Sequence, residues 1–370
     1  MKTRLKRENM AEQLKNVYTI EYIKNLSLKI KDNYEEYDVD SFINSIFNPT
    51  WENLELKMRM RHIAITLNTY IPLPYKKQLE ILKPTSKDFS GFEAMFFQDF
   101  VEVYGLDDFE NSMDALEVFT IDSSSEFAIR QFILKYEDKT MQQMKLWAKS
   151  SNEHLRRLAS EGCRSRLPWA VALPRFKANP SKVFEIIEAL KYDKSKYVQK
   201  SVANNLNDIS KDNPHLVIEF VKNHLGLSKE LDWICKHASR TLLKRGEKEV
   251  LELFSFGKSH HVDISNFNCD EIVKVDDYLN FSFEVVSDEE LGNIRVEYGI
   301  YYLKSNRAHN KKVFMISQNE VKSKNKKFMK KQSFKNMTTR KHYLGKHYIS
   351  IIINGKEMIK KEFILDDTSN

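Results

Sequence analysis

The sequence predicts an α + β multidomain protein, with an α-solenoid of paired helices followed by a small β-sandwich. Two observations predict this fold. Amphipathic helical segments of similar sequence recur in the first two thirds of the chain, and segments with the alternation of strands replace them after about residue 256. A chain of 370 residues can hold two or three domains, and we expect two, at 1–257 and 258–370.

The recurring segments have the spacing of HEAT-type repeats. LRRLAS around Arg157, VQKSVA around Lys200 and ICKHAS around Lys236 align with one another at offsets of about 40 residues. In the first two segments apolar side chains recur at helical spacing on one face, and charged side chains occupy the other. Stacked repeats of this kind share one core and present equivalent helix faces on one continuous inner surface.

Other helices are predicted before these repeats. A helix should begin at Ser123, Ser124 or Ser125 and carry Glu126 and Arg130 on one face, because serine is a favoured N-cap residue. The earlier segments predict one long polar helix, then a helical pair, then three short amphipathic helices, over residues 1–32, 36–48 with 51–71, and 75–119.

The last third of the chain has period-2 patterning. Asn354-Gly355, which separates the last two candidate strands, is a strong signal for a two-residue hairpin turn. About seven short strands in this part of the chain predict a small β-sandwich. The clearest strand segments are 279–286, 294–303, 312–317, 346–354 and 358–365.

Composition restricts the class of function. The three cysteines are scattered without a CxxC motif, which indicates a reducing compartment and no metal site. No segment has the length and apolar character of a membrane span, so we expect a cytoplasmic protein. The segment from Lys304 to Lys346 has fourteen Lys or Arg and one acid, Glu320, hence a charge of +13. Such a charge favours a polyanionic partner, and the alternative is a solvated basic surface.

Three carboxylates occupy similar positions in successive predicted helices, namely Glu126, Glu161 and Asp208. Because a solenoid stacks equivalent faces, we expect them in one cleft, with Trp169 at its edge. The alternative is ordinary ion pairing between residues one helical turn apart on a solvated face. Trp233, at the start of the last repeat helix, is expected to pack in the core.

These segments together resemble a known family. LRRLASEGCRSRLPWAVALP, YVQKSVANNLNDISKDNP and WICKHASRTLLKRG are similar to the DNA alkylation repair glycosylases of the HEAT-like-repeat type, more to the AlkC branch than to AlkD. SFKNMTTRKHYLGKHYISIIINGKE is similar to the immunoglobulin-like domain of many AlkC proteins. The resemblance implies an α-solenoid that holds duplex DNA on its concave face and an immunoglobulin-like β-sandwich that assists in DNA binding.

The resemblance also implies an activity. It implies a monofunctional, metal-free and cofactor-free glycosylase that removes 3-methyladenine and 3-methylcytosine from double-stranded DNA and leaves an abasic site. We therefore expect a monomer that acts on the bacterial nucleoid. Our alternatives are a non-catalytic HEAT scaffold and a nucleic-acid-binding protein without chemistry.

The same resemblance assigns residues. It gives Glu126, Glu161, Asp208 and Trp169 to catalysis, with Arg157 as a clamp on the DNA backbone. The tryptophan that AlkD carries in its last repeat helix aligns here with Arg240, so the lesion contacts of AlkD do not transfer. The expected DNA-binding residues are Arg130, Arg157, Arg164, Arg166, Lys200, Lys236, Arg240, Arg340, Lys341 and Lys346.

Overall fold

A computed structural model of the protein describes residues 14–256, 261–336 and 341–367. It confirms the predicted fold class, with helical repeats followed by β-sheets. The chain divides into two compact units. The first contains the described residues up to Asn213 together with His224–Ala238, and the second contains Pro214–Asn223 and the described residues from Ser239 onwards.

Sixteen α-helices lie in the described residues. They are α1 Ile20–Asn33, α2 Val39–Ile46, α3 Leu56–Tyr70, α4 Tyr75–Ser86, α5 Phe96–Tyr104, α6 Phe109–Phe119, α7 Ile129–Lys135, α8 Glu137–Trp147, α9 Glu153–Gly162, α10 Pro174–Ala178, α11 Ser181–Leu190, α12 Lys196–Ile209, α13 Pro214–His224, α14 Lys229–Ala238, α15 Arg240–Arg245 and α16 Lys248–Leu253. None of these helices has both the length and the apolar character that a bilayer span requires.

Several helices begin where a side chain caps them. Thr19, Asp38, Asp108, Asn152 and Ser195 each accept a hydrogen bond from a backbone N–H in the first turn of the helix that follows. Such a cap satisfies one of the N–H groups that the start of a helix leaves without a partner. The local sequence therefore fixes the starts of α1, α2, α6, α9 and α12.

Two predicted helix boundaries differ from the structure. The predicted helix 1–32 is interrupted: residues 14 and 15 are helical, a turn follows, and α1 starts at Ile20 after the Thr19 cap, whereas residues 1–13 lie outside the described part of the chain. The helix that should have begun at Ser123–Ser125 begins at Ile129, and Glu126 lies in the turn before it. The hydroxyl of Ser125 donates to the carbonyl of Leu116 instead of capping the helix.

The three aligned repeat segments lie on helices that pack against one another within the first unit. Helix α12 packs against α9 on one side and α14 on the other. Leu158, Val202, Leu206 and Ile234 are fully buried between them. The predicted stacking of equivalent helices is therefore present here, and it places the polar residues of α9, α12 and α14 in adjacent rows.

The described residues of the second unit contain eight strands in two sheets. One sheet has the strand order β1-β3-β6, and the other has the order β2-β8-β7-β4-β5. All pairs are antiparallel except β2 with β8, which are parallel. The strands are β1 Val262–Cys269, β2 Ile272–Lys274, β3 Tyr278–Ser287, β4 Gly292–Leu303, β5 His309–Val321, β6 Asn325–Ser333, β7 Gly345–Ile353 and β8 Lys356–Asp366.

The hairpin signal at Asn354-Gly355 is confirmed, because β7 and β8 pair directly across it. Both residues have positive φ, 46° and 77°, as a type I′ turn requires. Three observed strands lie outside the segments named from the sequence, namely β1, β2 and β6, and in β6, NKKFMKKQS, only Phe328 is buried. Its lysines suit an edge strand, where charge discourages pairing with other chains.

Two glycines bring helix and hairpin together within the second unit. Gly246 ends α15 in the left-handed conformation, and a Cβ there would lie 2.8 Å from the carbonyl oxygen of Gly355. A Cβ on Gly355 would lie 2.8 Å from the Cα of Gly246 and 2.6 Å from a methyl carbon of Leu251. Neither position therefore has room for a side chain. This contact joins the last helices to the β7–β8 hairpin.

Candidate active site

The three predicted carboxylates belong to one chain of ion pairs. Arg157 contacts Glu126, and its other terminal nitrogen lies 3.6 Å from Oε1 of Glu161. Arg164 donates to the same Oε1 at 2.6 Å. The Nε of Arg164 donates to Oδ2 of Asp208 at 2.8 Å, and its terminal NH2 lies 2.7 Å from that oxygen. Each arginine therefore lies between two acids, and we call Glu126, Arg157, Glu161, Arg164 and Asp208 the acid–arginine chain.

The solenoid places these side chains together. Glu126 lies in the turn before α7, Glu161 in the last turn of α9, and Asp208 near the end of α12. The hydroxyl of Ser201 on α12 donates to Oε2 of Glu161 at 2.6 Å, which ties α12 to α9 at this point. Lys211 follows Asp208 and donates to its Oδ1 at 2.8 Å.

The acid–arginine chain is largely withdrawn from water. The side chains of Asp208 and Glu161 are 3% and 8% exposed, whereas that of Glu126 is 16% exposed. Burial by itself lowers the pKa of Arg157 and of Arg164, but the facing carboxylates outweigh it, so both pKa values lie above the ordinary value. The arginines therefore stay charged and hold the acids between them as fixed negative groups.

Glu126 lies at the open end of the chain. It lines a cavity of about 290 Å³ together with Phe92, Asp122, Arg157 and Tyr197. Its Oε2 contacts Arg157 and accepts from the hydroxyl of Ser124 at 2.9 Å, and neither contact uses Oε1. This cavity adjoins the acid–arginine chain and has both aromatic and acidic walls.

Trp169 lies at the edge of the same region. Its side chain is 65% exposed, and its ring centroid is 6.0 Å from that of Phe92, which lines the cavity. The backbone of Trp169 has φ of 63°, which is uncommon for a residue other than glycine. The ammonium group of Lys57 donates to its carbonyl oxygen at 2.9 Å.

The structure differs from the sequence prediction at Arg130, which we expected to contact DNA. Arg130 is fully buried, and burial lowers the pKa of its guanidinium to about 10. It donates to the backbone carbonyls of Gly162, Arg164 and Val171 at 2.7 to 2.9 Å. Arg130 therefore holds the segment that follows α9 in place, and Glu126 pairs with Arg157, whereas the alternative of ion pairing one turn apart would have required a pair with Arg130.

The expectations for Arg157 and Arg164 also change. Both were expected to contact DNA, with Arg157 as the backbone clamp. Their side chains are only 14% and 8% exposed and their guanidinium groups face carboxylates. This arrangement organises the acids, because an arginine held between two carboxylates has few donors left for a phosphate.

The remaining expected DNA contacts are more accessible. Arg166 is exposed and pairs with both carboxylate oxygens of Asp212, at 2.6 and 2.9 Å. Lys200 and Lys236 are exposed on α12 and α14, and Arg240 is partly exposed.

Two of the expected DNA contacts, Lys341 and Lys346, lie just before or within β7. Lys341 is exposed, and Arg340 lies outside the described residues. Lys346 is in strand β7, as the predicted strand segment 346–354 indicated, and its ammonium lies 3.0 Å from Glu362.

Comparison with known proteins identifies the family. The family model described as "DNA alkylation repair enzyme" matches residues 110–248, and that described as "Uncharacterised protein YhaZ, C-terminal Ig-like domain" matches residues 263–367. The chain is 41% identical over 345 residues to the uncharacterized protein YhaZ of Bacillus subtilis (strain 168), with 93% of this chain and 96% of that protein covered. The chain therefore belongs to the DNA alkylation repair enzyme family.

A solved structure supports the assignment to this family. The Pseudomonas fluorescens alkylpurine DNA glycosylase AlkC, bound to DNA containing an abasic site analog, superposes with a TM-score of 0.90. The two are 34% identical, with 95% of this chain and 99% of that chain covered. The helical repeats and the Ig-like domain are thus those of the AlkC fold.

Several side chains that complete the site carry no signal in the sequence. The ring of Tyr197 lies 5.0 Å from the guanidinium of Arg157 and 5.7 Å from the ring of His154, and both neighbours also line the cavity. Lys57 and Phe92 come from repeats far earlier in the chain. Only solenoid packing brings such residues to the site, so no local motif could have indicated them.

Proposed function

We propose that this protein is a monofunctional DNA glycosylase that hydrolyses the N-glycosidic bond of cationic N3-alkylated bases in duplex DNA. The proposed lesions are 3-methyladenine and 3-methylcytosine, and the proposed product is an abasic site. The acid–arginine chain beside a partly aromatic cavity carries the proposal. It fits the family, whose members repair alkylated DNA, and the AlkC relative, which was solved on DNA with an abasic site analog.

The chemistry requires fixed negative charge near the sugar. Alkylation at N3 makes the base cationic and a good leaving group, and departure of the base leaves positive charge on the sugar, as in glycoside hydrolysis. Carboxylates held in place before the reaction stabilise that charge without reorganisation. A carboxylate can also orient or deprotonate the attacking water.

The positions of the three acids suggest different roles. Glu126 is the most exposed and lines the cavity, so we assign it the contact with the sugar or the attacking water. Glu161 and Asp208 lie deeper, where they extend the negative field and, through the two arginines, fix the geometry of Glu126. Trp169 supplies an exposed indole at the edge, and its attraction for a cationic base is of order 1 kcal/mol.

DNA affinity comes from basic groups outside this site in our proposal. Arg166, Lys200, Lys236 and Arg240 on the helical side, with Arg340, Lys341 and Lys346 on the β side, supply contacts to phosphates that do not depend on sequence. Catalysis and DNA binding belong to residues 1–257 and accessory binding to 258–370. We propose that a monomer acts on chromosomal DNA in the cytoplasm.

Single-turnover excision of 3-methyladenine from a duplex tests the assignment. Glu126→Gln and Asp208→Asn should each lower the rate by about 100-fold or more, because each removes a fixed charge that stabilises the transition state. DNA affinity should not fall, since each change removes a negative charge near a polyanion.

Asp212→Asn is the matched control, because Asp212 is also paired with an arginine, Arg166, but lies outside the acid–arginine chain. Its excision rate should stay near that of the wild type. If both Glu126→Gln and Asp208→Asn excise at the wild-type rate, the chemistry does not belong to this site. A wild-type protein that binds DNA but releases no base would support the alternative of a non-catalytic scaffold.

A further inference from the structure

Trp233 does not pack in the core as the sequence suggested. Its side chain is 44% exposed, and one face of its ring is covered by the imidazole of His237, one helical turn later. The ring centroids are 5.0 Å apart and the ring planes differ by 11°. The Nε2 of His237 lies 3.0 Å from Oδ1 of Asn204 on α12. The indole is therefore held flat by a partner that is itself fixed to the neighbouring helix.

Two polar residues of α12, Asn204 and Ser201, connect this pair to the acid–arginine chain. Asn204 faces α14 through His237, and Ser201 faces α9 through Glu161. Residues three apart on a helix are neighbours on its surface, with Cβ atoms about 5–6 Å apart. The Trp233–His237 pair thus lies one helix beyond Glu161 in the same stacked series.

Exposed lysines lie on both helices that carry the pair and its partner Asn204, and one exposed acid, Glu230, lies one turn before Trp233. Lys236 is exposed on the same helix, and Lys200 is exposed one turn before Asn204 on α12. A flat aromatic face beside exposed ammonium groups suits one nucleotide, since the ring takes the apolar face of the nucleoside and the cations take the phosphate. An acidic peptide would use the cations but has no comparable planar group for the indole.

We infer that the Trp233–His237 pair is a second nucleic-acid contact, at which the exposed indole face packs against one nucleoside of the bound DNA away from the Glu126 cavity. This inference rests on the proposed function, because it takes DNA as the ligand of this unit. His237 keeps the indole in the orientation that a nucleoside requires. Lys200 and Lys236 attract the adjoining phosphates.

Intrinsic fluorescence can report on this contact directly. The chain has four tryptophans. Trp51 and Trp147 are 3% and 2% exposed, whereas Trp169 and Trp233 are 65% and 44% exposed. In a full-length Trp169→Phe variant, Trp233 is therefore the one strongly exposed indole. Undamaged duplex DNA should change its emission and reduce its quenching by acrylamide, whereas heparin, a polyanion without nucleosides, should not protect it.

Affinity for the same undamaged duplex supplies the second measurement. Trp233→Ala in the otherwise natural chain should weaken binding by about 5- to 150-fold, the range for loss of one aromatic contact to a nucleotide. Trp233→Phe should lose less because an aromatic face remains.

The inference fails if DNA leaves the acrylamide quenching of Trp233 unchanged, if heparin protects it as well as DNA does, or if Trp233→Ala keeps the wild-type affinity. These binding measurements are independent of base release. A protein that protects Trp233 on DNA but excises nothing would refute the proposed glycosylase and keep this contact. A protein that excises normally, but whose Trp233 fluorescence DNA does not change, would support the proposed glycosylase and refute this contact.

Discussion

Lys57 holds the backbone of Trp169, although 112 positions separate them in the chain. Its ammonium donates to the Trp169 carbonyl at 2.9 Å and lies 4.4 Å from the centre of the Phe127 ring, in the turn that carries Glu126. Trp169 has a positive φ, a conformation that costs a residue with a side chain about 1–2 kcal/mol. The hydrogen bond from Lys57 offsets part of that cost.

Replacing Lys57 should therefore change the backbone position of Trp169 without unfolding the protein. Lys57→Met should lower single-turnover excision of 3-methyladenine by about 3- to 10-fold, since it removes one hydrogen bond from a charged donor at a partly solvated site. Lys57→Arg should recover much of the rate because a guanidinium can donate to the same carbonyl. Lys76→Met, which removes the same charge from an exposed lysine of α4, is the control and should excise normally.

The stability of the acid–arginine chain can be separated from its chemistry. Arg164 is buried and lies between Glu161 and Asp208. Arg164→Met should destabilise the fold by about 3–5 kcal/mol in urea unfolding, because two buried carboxylates lose their partner. Arg166→Met removes an exposed pair with Asp212 and should cost about 1 kcal/mol or less. Equal losses for the two variants would show that burial does not matter here.

The β-sandwich should lose stability in mild acid because of His347. This side chain is fully buried, with Nδ1 accepting from the N–H of Leu303 at 3.3 Å and Nε2 placed 2.9 Å from the carbonyl of Tyr343. Burial lowers the pKa of His347, and the nearby His309 lowers it further. The neutral ring fits both neighbours, whereas a protonated Nδ1 could no longer accept from Leu303.

The sign follows from proton linkage. The unfolded chain protonates His347 near pH 6.5 and the folded chain only at lower pH, so the unfolded state binds more protons between these values. The free energy of unfolding should fall as the pH drops below about 6.5. Urea titrations from pH 7.5 to 5 should show a shallower slope for His347→Gln. The exposed His215→Gln should keep the wild-type slope, and a shared slope for all three proteins would exclude His347 as the cause.

The Gly246–Gly355 contact predicts a specific steric cost. Gly355→Ala should destabilise the β unit by about 2–5 kcal/mol, the sum of a left-handed alanine and a backbone clash. Gly292→Ala is the matched control, since Gly292 also has positive φ, 62°, but a Cβ there would meet nothing within 4 Å. It should cost only about 1–2 kcal/mol. The difference between the two Tm values measures the close approach itself.

The sequence was informative where structure depends on periodicity. Period 3.6 gave the repeat helices, period 2 gave most strands, and Asn354-Gly355 gave the hairpin. It failed at β6, because the lysines that suit an edge strand hide the alternation. Lysines protect an edge strand from pairing with other chains, but they also replace the apolar residues of the alternating pattern. A strand of this kind therefore cannot be recognised from alternation.

In the candidate site, the sequence predicted the acids but not their ion-pair partners. Glu126, Glu161 and Asp208 could be grouped from their recurrence, but their arginines could not be assigned. Periodicity places Asp208 on an exposed face, whereas the structure buries it against Arg164 on a neighbouring segment. Since pairing partners come from other repeats, a single helix pattern cannot distinguish a solvated acid from a buried one.

The path of the chain has a consequence for any attempt to take the protein apart. The segment Pro214–Asn223 belongs to the unit of the β-sheets, yet the chain then returns to the other unit for His224–Ala238 before it leaves again. No single proteolytic cut can therefore release either half intact. A fragment that stops near residue 257 would keep Gly246 and Leu251 but lose the hairpin that covers them. During synthesis, likewise, residues 214–223 leave the ribosome before the rest of their own unit has been made, so they can pack in that unit only after residues 239 onwards have emerged.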